Sequence, residues 1–532
     1  MTSVSRRDVL RAAVATGAAS LFGLPLSTLA AAARGGVVVI GSTNKPRHLN
    51  PAVQSGIATM FPGVQIFAPL LTVDGNWKAH PYLAERWSIS DDARSVTLQL
   101  RKDARFHDGR PVTSADVQFS IETVRDNHPF KSMLAPVNAI TTPDAHTAIV
   151  RLAEPHPALE LVLTTSLLPI IPKHIYGDGQ PVPTHPRNST DVIGSGPFRV
   201  VEFKPGEHVI LERFKDFFLP GKPQLERIII REYKDTASLL LALERGEIDV
   251  HPGLTEPRDI ERAKKIPGVN VVPNTGPAIG RLVWLAFNTA NPKLADKRVR
   301  QAINYAIDKH FIINTLFGGV HLRSTGPIAA GSPFYSKEVE AYELDLDKAR
   351  QLLDAAGLRP GANGVRLALT VDAIPGASDQ RAIQEYLKPA LAKIGIDVSV
   401  RQSPDFPIWS RRISNQDFEL TLDSVWNWGD PVIGVHRTWL TANIRKGVIW
   451  SNTQSYSNPR VDELLAAAGQ ERDAARRKAL YREFQEIVVD DVPVAFLHEV
   501  NLYLGYGKRI AEPVDNIWGL VGPLDEFGLK QG

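Results

Sequence analysis

Between residue 34 and residue 532 the chain contains no low-complexity linker and no short internal repeat. That continuity constrains the fold more than any other feature. Single hydrophobic cores stop growing at roughly 250–300 residues, so a chain of 532 residues calls for at least two lobes. Lobes without a floppy tether must be joined by ordered chain crossing between them, as in a hinged clamp.

The local patterns alternate strand and helix, which predicts an α/β protein. Val96, Leu98 and Leu100 alternate with polar residues, the period of a half-buried strand. His107-Asp108-Gly109 then predicts a tight turn, and Thr113 an N-cap for a helix carrying Val117 and Ile121, with Asp116 supporting its first turn. Later strands are expected at Ile228–Ile230, Arg281–Phe287, Val365–Val371, Ile396–Val400 and Phe418–Leu422. Helices are expected after Asp235, after Asp296 and ending at Gly318-Gly319, over Leu346–Ala356, and from a Ser378 cap to Ile394.

The N-terminus has the layout of an export signal. Arg6 and Arg7 precede a mildly apolar run from Ala12 to Ala33, with small residues at Ala30, Ala31 and Ala32. The adjacent arginines resemble the twin-arginine export motif, with Val9 where Phe is usual. A membrane anchor is the rival reading, but Pro25 and abundant Ala, Gly, Ser and Thr make that run a weak span. We therefore expect residues 1–33 to be a cleaved signal peptide and the mature protein to be periplasmic. With no cysteine anywhere, it can be neither a lipoprotein nor a thiolate metal protein.

Charge excludes further classes. Lys and Arg number 61 against 58 Asp and Glu, a formal +3. Residues 1–33 hold three arginines against one aspartate, so removing them leaves about +1. A near-neutral chain has no counterion-release drive towards nucleic acid and no polybasic grip on a membrane. Catalytic motifs are also missing. Gly194-Ser195-Gly196 lacks the spacing of a nucleophile elbow, and His498-Glu499 has no second histidine one turn on. Gly505-Tyr506-Gly507-Lys508 is too short for a phosphate loop. His107 and Asp108 could be a catalytic pair or metal ligands, but the turn accounts for them. The 14 histidines show no dense ligand spacing. No enzyme, cofactor or metal is expected.

Several blocks, in order, carry a resemblance. They are Leu49-Asn50-Pro51; Pro81-Tyr82-Leu83-Ala84-Glu85-Arg86-Trp87; Phe106-His107-Asp108-Gly109 with Ser114-Ala115-Asp116-Val117; Gly194-Ser195-Gly196-Pro197-Phe198; Val299 to Asp308; and Asp347 to Gly357. Together they resemble the family 5 extracellular solute-binding proteins, which serve ABC importers of peptides, nickel and related solutes. The resemblance implies a two-lobe Venus-flytrap fold with mixed sheets and hinge strands. One lobe would be residues 34–280 plus 495–532, and the other 281–494. It also implies a ligand in the cleft, closure by hinge bending, inner-membrane permease subunits as partners and a monomer in solution.

For the ligand site, the segment Val425-Trp426-Asn427-Trp428-Gly429-Asp430-Pro431 is expected to be a loop after a strand ending near Asp423, at the carboxyl edge of a sheet. In peptide-binding relatives such a loop carries an aspartate for the peptide's amino group, and that position falls at Asn427. The arginine that dipeptide binders use for the carboxylate falls at Ile374. These two departures point away from a plain zwitterionic dipeptide and towards a peptide-like, sugar-like or modified amino-acid solute. Trp426 and Trp428 could stack on it, and Asp430 could supply a displaced anion or merely a turn. Ser55 and Met60 are weaker candidates. Ser195 is expected to be structural. A secreted hydrolase would need a nucleophile that the sequence does not show, whereas a chaperone or chemoreceptor could reuse the same clamp.

Overall fold

The computed structural model describes residues 36–164, 167–273, 276–511 and 516–530; the expected signal peptide lies outside them. Two large sheets organise the chain. A seven-stranded sheet has the order Val269–Pro273, Tyr503–Gly507, Val250–Leu254, Val37–Ser42, Arg227–Glu232, His208–Arg213, Phe198–Lys204. A five-stranded sheet has the order Ile396–Val400, Leu367–Ala373, Leu420–Trp428, Ile279–Phe287, Val494–Val500. Both are mixed, with parallel pairs beside antiparallel ones. A four-stranded antiparallel sheet, from Ala84–Ile89 to Thr147–Leu152, extends the first lobe.

Each large sheet has its own core. Leu98, Phe106, Val117, Ile121 and Phe198 are sealed in the first, and Leu285, Ile303, Leu387, Leu422 and Phe484 in the second. The chain passes between the sheets twice: after Pro273 into the strand Ile279–Phe287, and after Val500 into Tyr503–Gly507. Val494–Val500 pairs with Arg281–Ala286. The return to the first sheet therefore follows Val500, whereas a boundary at residue 495 was expected. Ile279 and Gly280 likewise sit in the second sheet, opposite Trp428 and Asn427. The lobes also touch away from these crossings. Arg472 donates to the Asp91 carbonyl (2.7 Å), Gln470 to Glu154 (2.8 Å) and Ser378 to Glu256 (3.0 Å), and the Arg437 guanidinium lies 4.3 Å over the Phe130 ring.

Local expectations hold where capping chemistry is explicit. Thr113 and Asp116 form a reciprocal capping box on the helix Ser114–Asn127. Gly109 takes φ +85° in the predicted turn. Two expectations fail. The helix after Asp296 ends at Tyr305; a separate turn of π-helix, Phe311–Leu316, whose first amide donates to the Asp308 carboxylate, precedes Gly318-Gly319. Ser378 opens its helix as the first residue, Ala377 being the cap, and its hydroxyl faces Glu256 instead.

Candidate functional site

A cavity of about 510 Å³ lies between the lobes. That is within the roughly 300–1,000 Å³ range of small-molecule sites. One wall comes from the first lobe: residues just beyond the strand end at Ser42, Ile57 and Phe61 on the helix Ile57–Ile66, and Trp518 and Leu520 from the C-terminal segment. The facing wall is one end of the second sheet, with Ile279, Arg281, Trp426 and Glu499. A smaller recess of about 190 Å³ adjoins it, sharing Thr255, Arg281 and Val500 and reaching His321 and Asp379.

The end of the helix Ile57–Ile66 is held by the block Gly194-Ser195-Gly196. Gly196 N donates to the Ile66 carbonyl at the helix end (2.8 Å). A Cβ at Gly194 would stand 2.0 Å from that same oxygen, and one at Gly196 2.5 Å from the Gln65 carbonyl. Only glycine permits this approach. His107 clamps the pair: Nδ1 accepts from Gly194 N (3.2 Å), Nε2 donates to the Gly196 carbonyl (3.1 Å) and its own amide donates to the Gly194 carbonyl (2.8 Å). Burial lowers the imidazole pKa to about 4, which holds this neutral tautomer. His107 thus serves the architecture beneath the cleft. Ser195 is fully buried beside it, with no hydrogen-bond partner for its hydroxyl among the described residues.

The segment around Trp426 differs from its expected form. The strand Leu420–Trp428 runs five residues past Asp423, so successive side chains alternate between faces instead of clustering on a loop. Trp426 stands in a row with Arg281 and Val500 and lines the cavity. Asn427 points to the other face, where it is buried and its Oδ1 accepts from Ala329 N (2.7 Å). Trp428 is buried in the first lobe's core, with Trp518 at 6.2 Å and Phe130 at 6.1 Å between ring centroids. Asp430 caps the short helix Pro431–Gly434 and forms a buried bidentate pair with Arg477 (2.6 and 2.8 Å).

The other candidates lie away from the cavity lining. Ile374 follows the strand Leu367–Ala373 and packs against the cluster of Trp409, Ile413 and Phe418. Met60 is sealed in the first lobe's core. Ser55 is half-buried just before the helix Ile57–Ile66. The structure therefore brings Trp426 alone of the seven candidates to the cavity lining.

The three titratable lining residues are not among the candidates expected from the sequence. Arg281 donates to Ser424 Oγ and to Asp379 Oδ2, both at 3.3 Å. His251 is buried, and desolvation lowers its pKa to about 4. Glu499 is 8% exposed, and its Oε2 accepts from Ala330 N (2.8 Å). Burial raises its pKa against that single hydrogen bond. The signal for Glu499 was present: it is an acid, beside His498, inside the fully buried run Val494–Val500, and buried carboxylates are uncommon without a partner. Among the described residues no group of three or more His, Cys, Asp or Glu could hold a metal ion.

Residues 78–446 match the family described as bacterial extracellular solute-binding proteins, family 5. The chain belongs to that family. Among relatives of this family 5 protein, the dipeptide-binding protein of Escherichia coli K12 is 24% identical over 507 residues, covering 91% of this chain and 93% of its own. The ABC transporter substrate-binding protein CtaP of Listeria monocytogenes superposes with a TM-score of 0.80 at 27% identity, covering 93% of this chain and all of its own. AgaA from Agrobacterium tumefaciens R10, solved with agropinic acid, gives a TM-score of 0.78 at 25% identity, covering 93% and 99%. The two-lobe fold is that of the periplasmic binding proteins. Among the described residues, no helix of this family 5 protein is long and apolar enough to cross a membrane.

Proposed function

We propose that this chain is the substrate-binding component of an ABC importer: it captures a peptide-like solute between its lobes and hands it, unaltered, to membrane permease subunits. The observation that carries the reading is the interlobe cavity, walled on one side by Phe61 and Trp518 and on the other by Trp426 and Glu499. A ligand touching both walls makes contacts that only a closed clamp offers, and such differential contact is what shifts a two-state equilibrium. The lobes would be residues 36–278 with 501–530, and residues 279–500, hinged at the two crossings. The export layout of residues 1–33 supports delivery to the periplasm by the twin-arginine route, and a monomer suits a receptor that docks on a transporter.

The test is a titration of the mature protein with di- and tripeptides, maltotriose, opine conjugates and nickel chelates. Melting temperature and small-angle scattering would be read together. A bound ligand should raise the melting temperature with concentration, shrink the radius of gyration and be recovered chemically intact. Binding without compaction would overturn the clamp, and a recovered ligand with altered mass would overturn the transport role. A response confined to maltotriose would move the assignment to a sugar-like solute.

A further inference from the structure

The strand that carries Trp426 into the cavity wall goes on into the other lobe. Two residues later Trp428 is 3% exposed within the first lobe's core, its ring centroid 6.2 Å from that of Trp518 and 6.1 Å from that of Phe130. Ile433, on the short helix Pro431–Gly434, is buried in the same core, and that helix packs on the turn Lys131–Leu134. The second lobe thus drives a wedge, residues 428–433, into a socket of the first. At Gly429 the fit leaves no room for a side chain. This residue has φ +61°, and a Cβ on it would stand 2.8 Å from Leu161 Cδ2, 3.2 Å from Trp518 Cη2 and 3.5 Å from Trp77 Cζ3. All three neighbours belong to the first lobe.

Wedge and socket are each braced. Asp430 caps the helix and holds the buried bidentate pair with Arg477. Gly434 folds that helix back onto the strand end, where a Cβ would meet Trp428 N at 2.6 Å. Opposite, Trp518 Nε1 donates to Thr164 Oγ1 (3.1 Å). Two backbone bonds tie the seat to the crossing after Pro273: Ala278 N donates to the Ile517 carbonyl (3.0 Å), and Gly429 N to the Ala278 carbonyl (2.7 Å). The seat therefore lies at the hinge, whereas the contacts Arg472–Asp91, Gln470–Glu154 and Ser378–Glu256 are exposed. Exposed polar contacts exchange for water at little cost. Withdrawing a tryptophan would instead expose about 150–250 Å² of largely apolar surface. Opening thus breaks the exposed contacts and keeps the seat.

We propose that the wedge at Trp428 and Gly429 is the fulcrum of the clamp, and that Gly429 is the positioning residue that sets how closely the two cavity walls approach. The link to the ligand is short. Trp518 bears on Trp428 and also lines the cavity, and Trp426 on the facing wall stands two residues before the wedge. The assignment rests on the clamp proposed above and adds what fixes its closed width. A thicker residue at position 429 holds the walls apart, so a ligand that must touch both loses contacts to one.

The chain has no cysteine, so Arg94→Cys and Ala475→Cys take spin labels without background. Both positions are exposed, on opposite lobes near the Arg472–Asp91 contact. The label-to-label distance is read by electron spin resonance in ligand-free mature protein, and binding of Ala-Phe-Ala by calorimetric titration. Asparagine tolerates a left-handed backbone, so Gly429→Asn adds bulk at the socket without forcing the chain. It should lengthen the distance by a few ångströms and weaken binding about tenfold, and adding Leu161→Ala should recover most of both. Leu161→Phe fills the socket from the other lobe and should act like Gly429→Asn, so the test stands even where the glycine variant does not fold. Gly447→Asn, at an exposed turn with φ +82° where a Cβ meets nothing within 4 Å, should change neither readout. An unchanged distance in Gly429→Asn and Leu161→Phe would overturn the fulcrum and leave the binding role standing, as would a lengthening that Leu161→Ala does not relieve. Undiminished peptide affinity in Gly429→Asn would show that the seat does not set the cavity width. Distances that respond as expected in a protein that binds neither Ala-Phe-Ala nor maltotriose would uphold the fulcrum and count against the binding role alone.

Discussion

Asn427 and Trp426 are neighbours in sequence with opposite tasks, and the alternation of a strand is the whole reason. Trp426 faces the cavity and spends its surface on whatever enters; Asn427 faces the Ala329–Ala330 loop and satisfies a buried amide. Their alanine variants should therefore separate. Trp426→Ala is expected to weaken ligand binding at least tenfold, about 1.4 kcal/mol or more, with little change in melting. Asn427→Ala leaves Ala329 N unpaired in a buried site and should cost about 1–3 kcal/mol of stability. Chemical denaturation beside a binding titration distinguishes the two. Equal loss of stability in both variants would mean that Trp426 is a core residue. The sequence could not make this distinction once the strand was ended near Asp423. The β-compatible run Val425 to Trp428 was readable as its continuation, and that single boundary decides which side chains share a face.

At the scale of elements, the fold was legible wherever local chemistry is complete within a few residues. The capping box at Thr113 and Asp116, the Asp235 cap and the alternating strand Ser95–Leu100 all depend on neighbours in sequence. What sequence could not show is why the distant blocks at residues 106–109 and 194–198 belong together, because their partnership is made across 87 residues by the His107 ring. The structure supplies the reason: Gly194 and Gly196 seat against the end of the helix Ile57–Ile66, which lines the cleft, and His107 clamps those two glycines. Gly194→Ala should then act at a distance. Its methyl must displace the Ile66 carbonyl, an overpacking cost of typically about 1–3 kcal/mol, and Ile57 and Phe61 move with the helix. We expect lower stability together with weaker ligand binding, read by thermal melting and titration. Gly206→Ala, at a surface turn where a Cβ meets nothing within 4 Å, should leave binding unchanged. Unaltered affinity in Gly194→Ala would show that the helix position does not govern the cleft.

Across the whole molecule, burial of histidine sets the response to acid. Desolvation lowers the pKa of His107, His251 and His321 to about 4 and of His128 and His436 to about 3, and takes His498 well below the ordinary value. Each of these groups stays neutral in the fold while its unfolded counterpart takes up a proton below pH 6.5. Stability is therefore fully present above pH 6.5 and lost as pH falls, by about 1.4 kcal/mol per histidine per pH unit until the folded pKa is reached. Asp423, pushed up to about 7 by burial, has the opposite sign, since its contribution is present in acid and lost as pH rises through 7. Burial also raises Glu232, Asp372, Glu499 and Asp525, while His48 and His156 join the lowered histidines. With eight histidines against five carboxyls, the melting temperature should decline from pH 6.5 to pH 4. His498 gives the sharpest check. Its ring stacks on His321 (5.0 Å, 5° between planes) beside Phe317, and neither nitrogen has a hydrogen-bond partner among the described residues. Besides His321, the charge that bears on it is that of Arg281. His498→Phe keeps an aromatic ring in that stack and removes the titration. It should melt close to wild type at pH 8, where the histidine is neutral in both folded and unfolded chains. At pH 5 it should be more stable by about 2 kcal/mol, the linkage accumulated over 1.5 pH units. A gain of the same size at both pH values would assign the effect to packing, and no gain at pH 5 would show that His498 finds a proton-sharing partner in the folded protein.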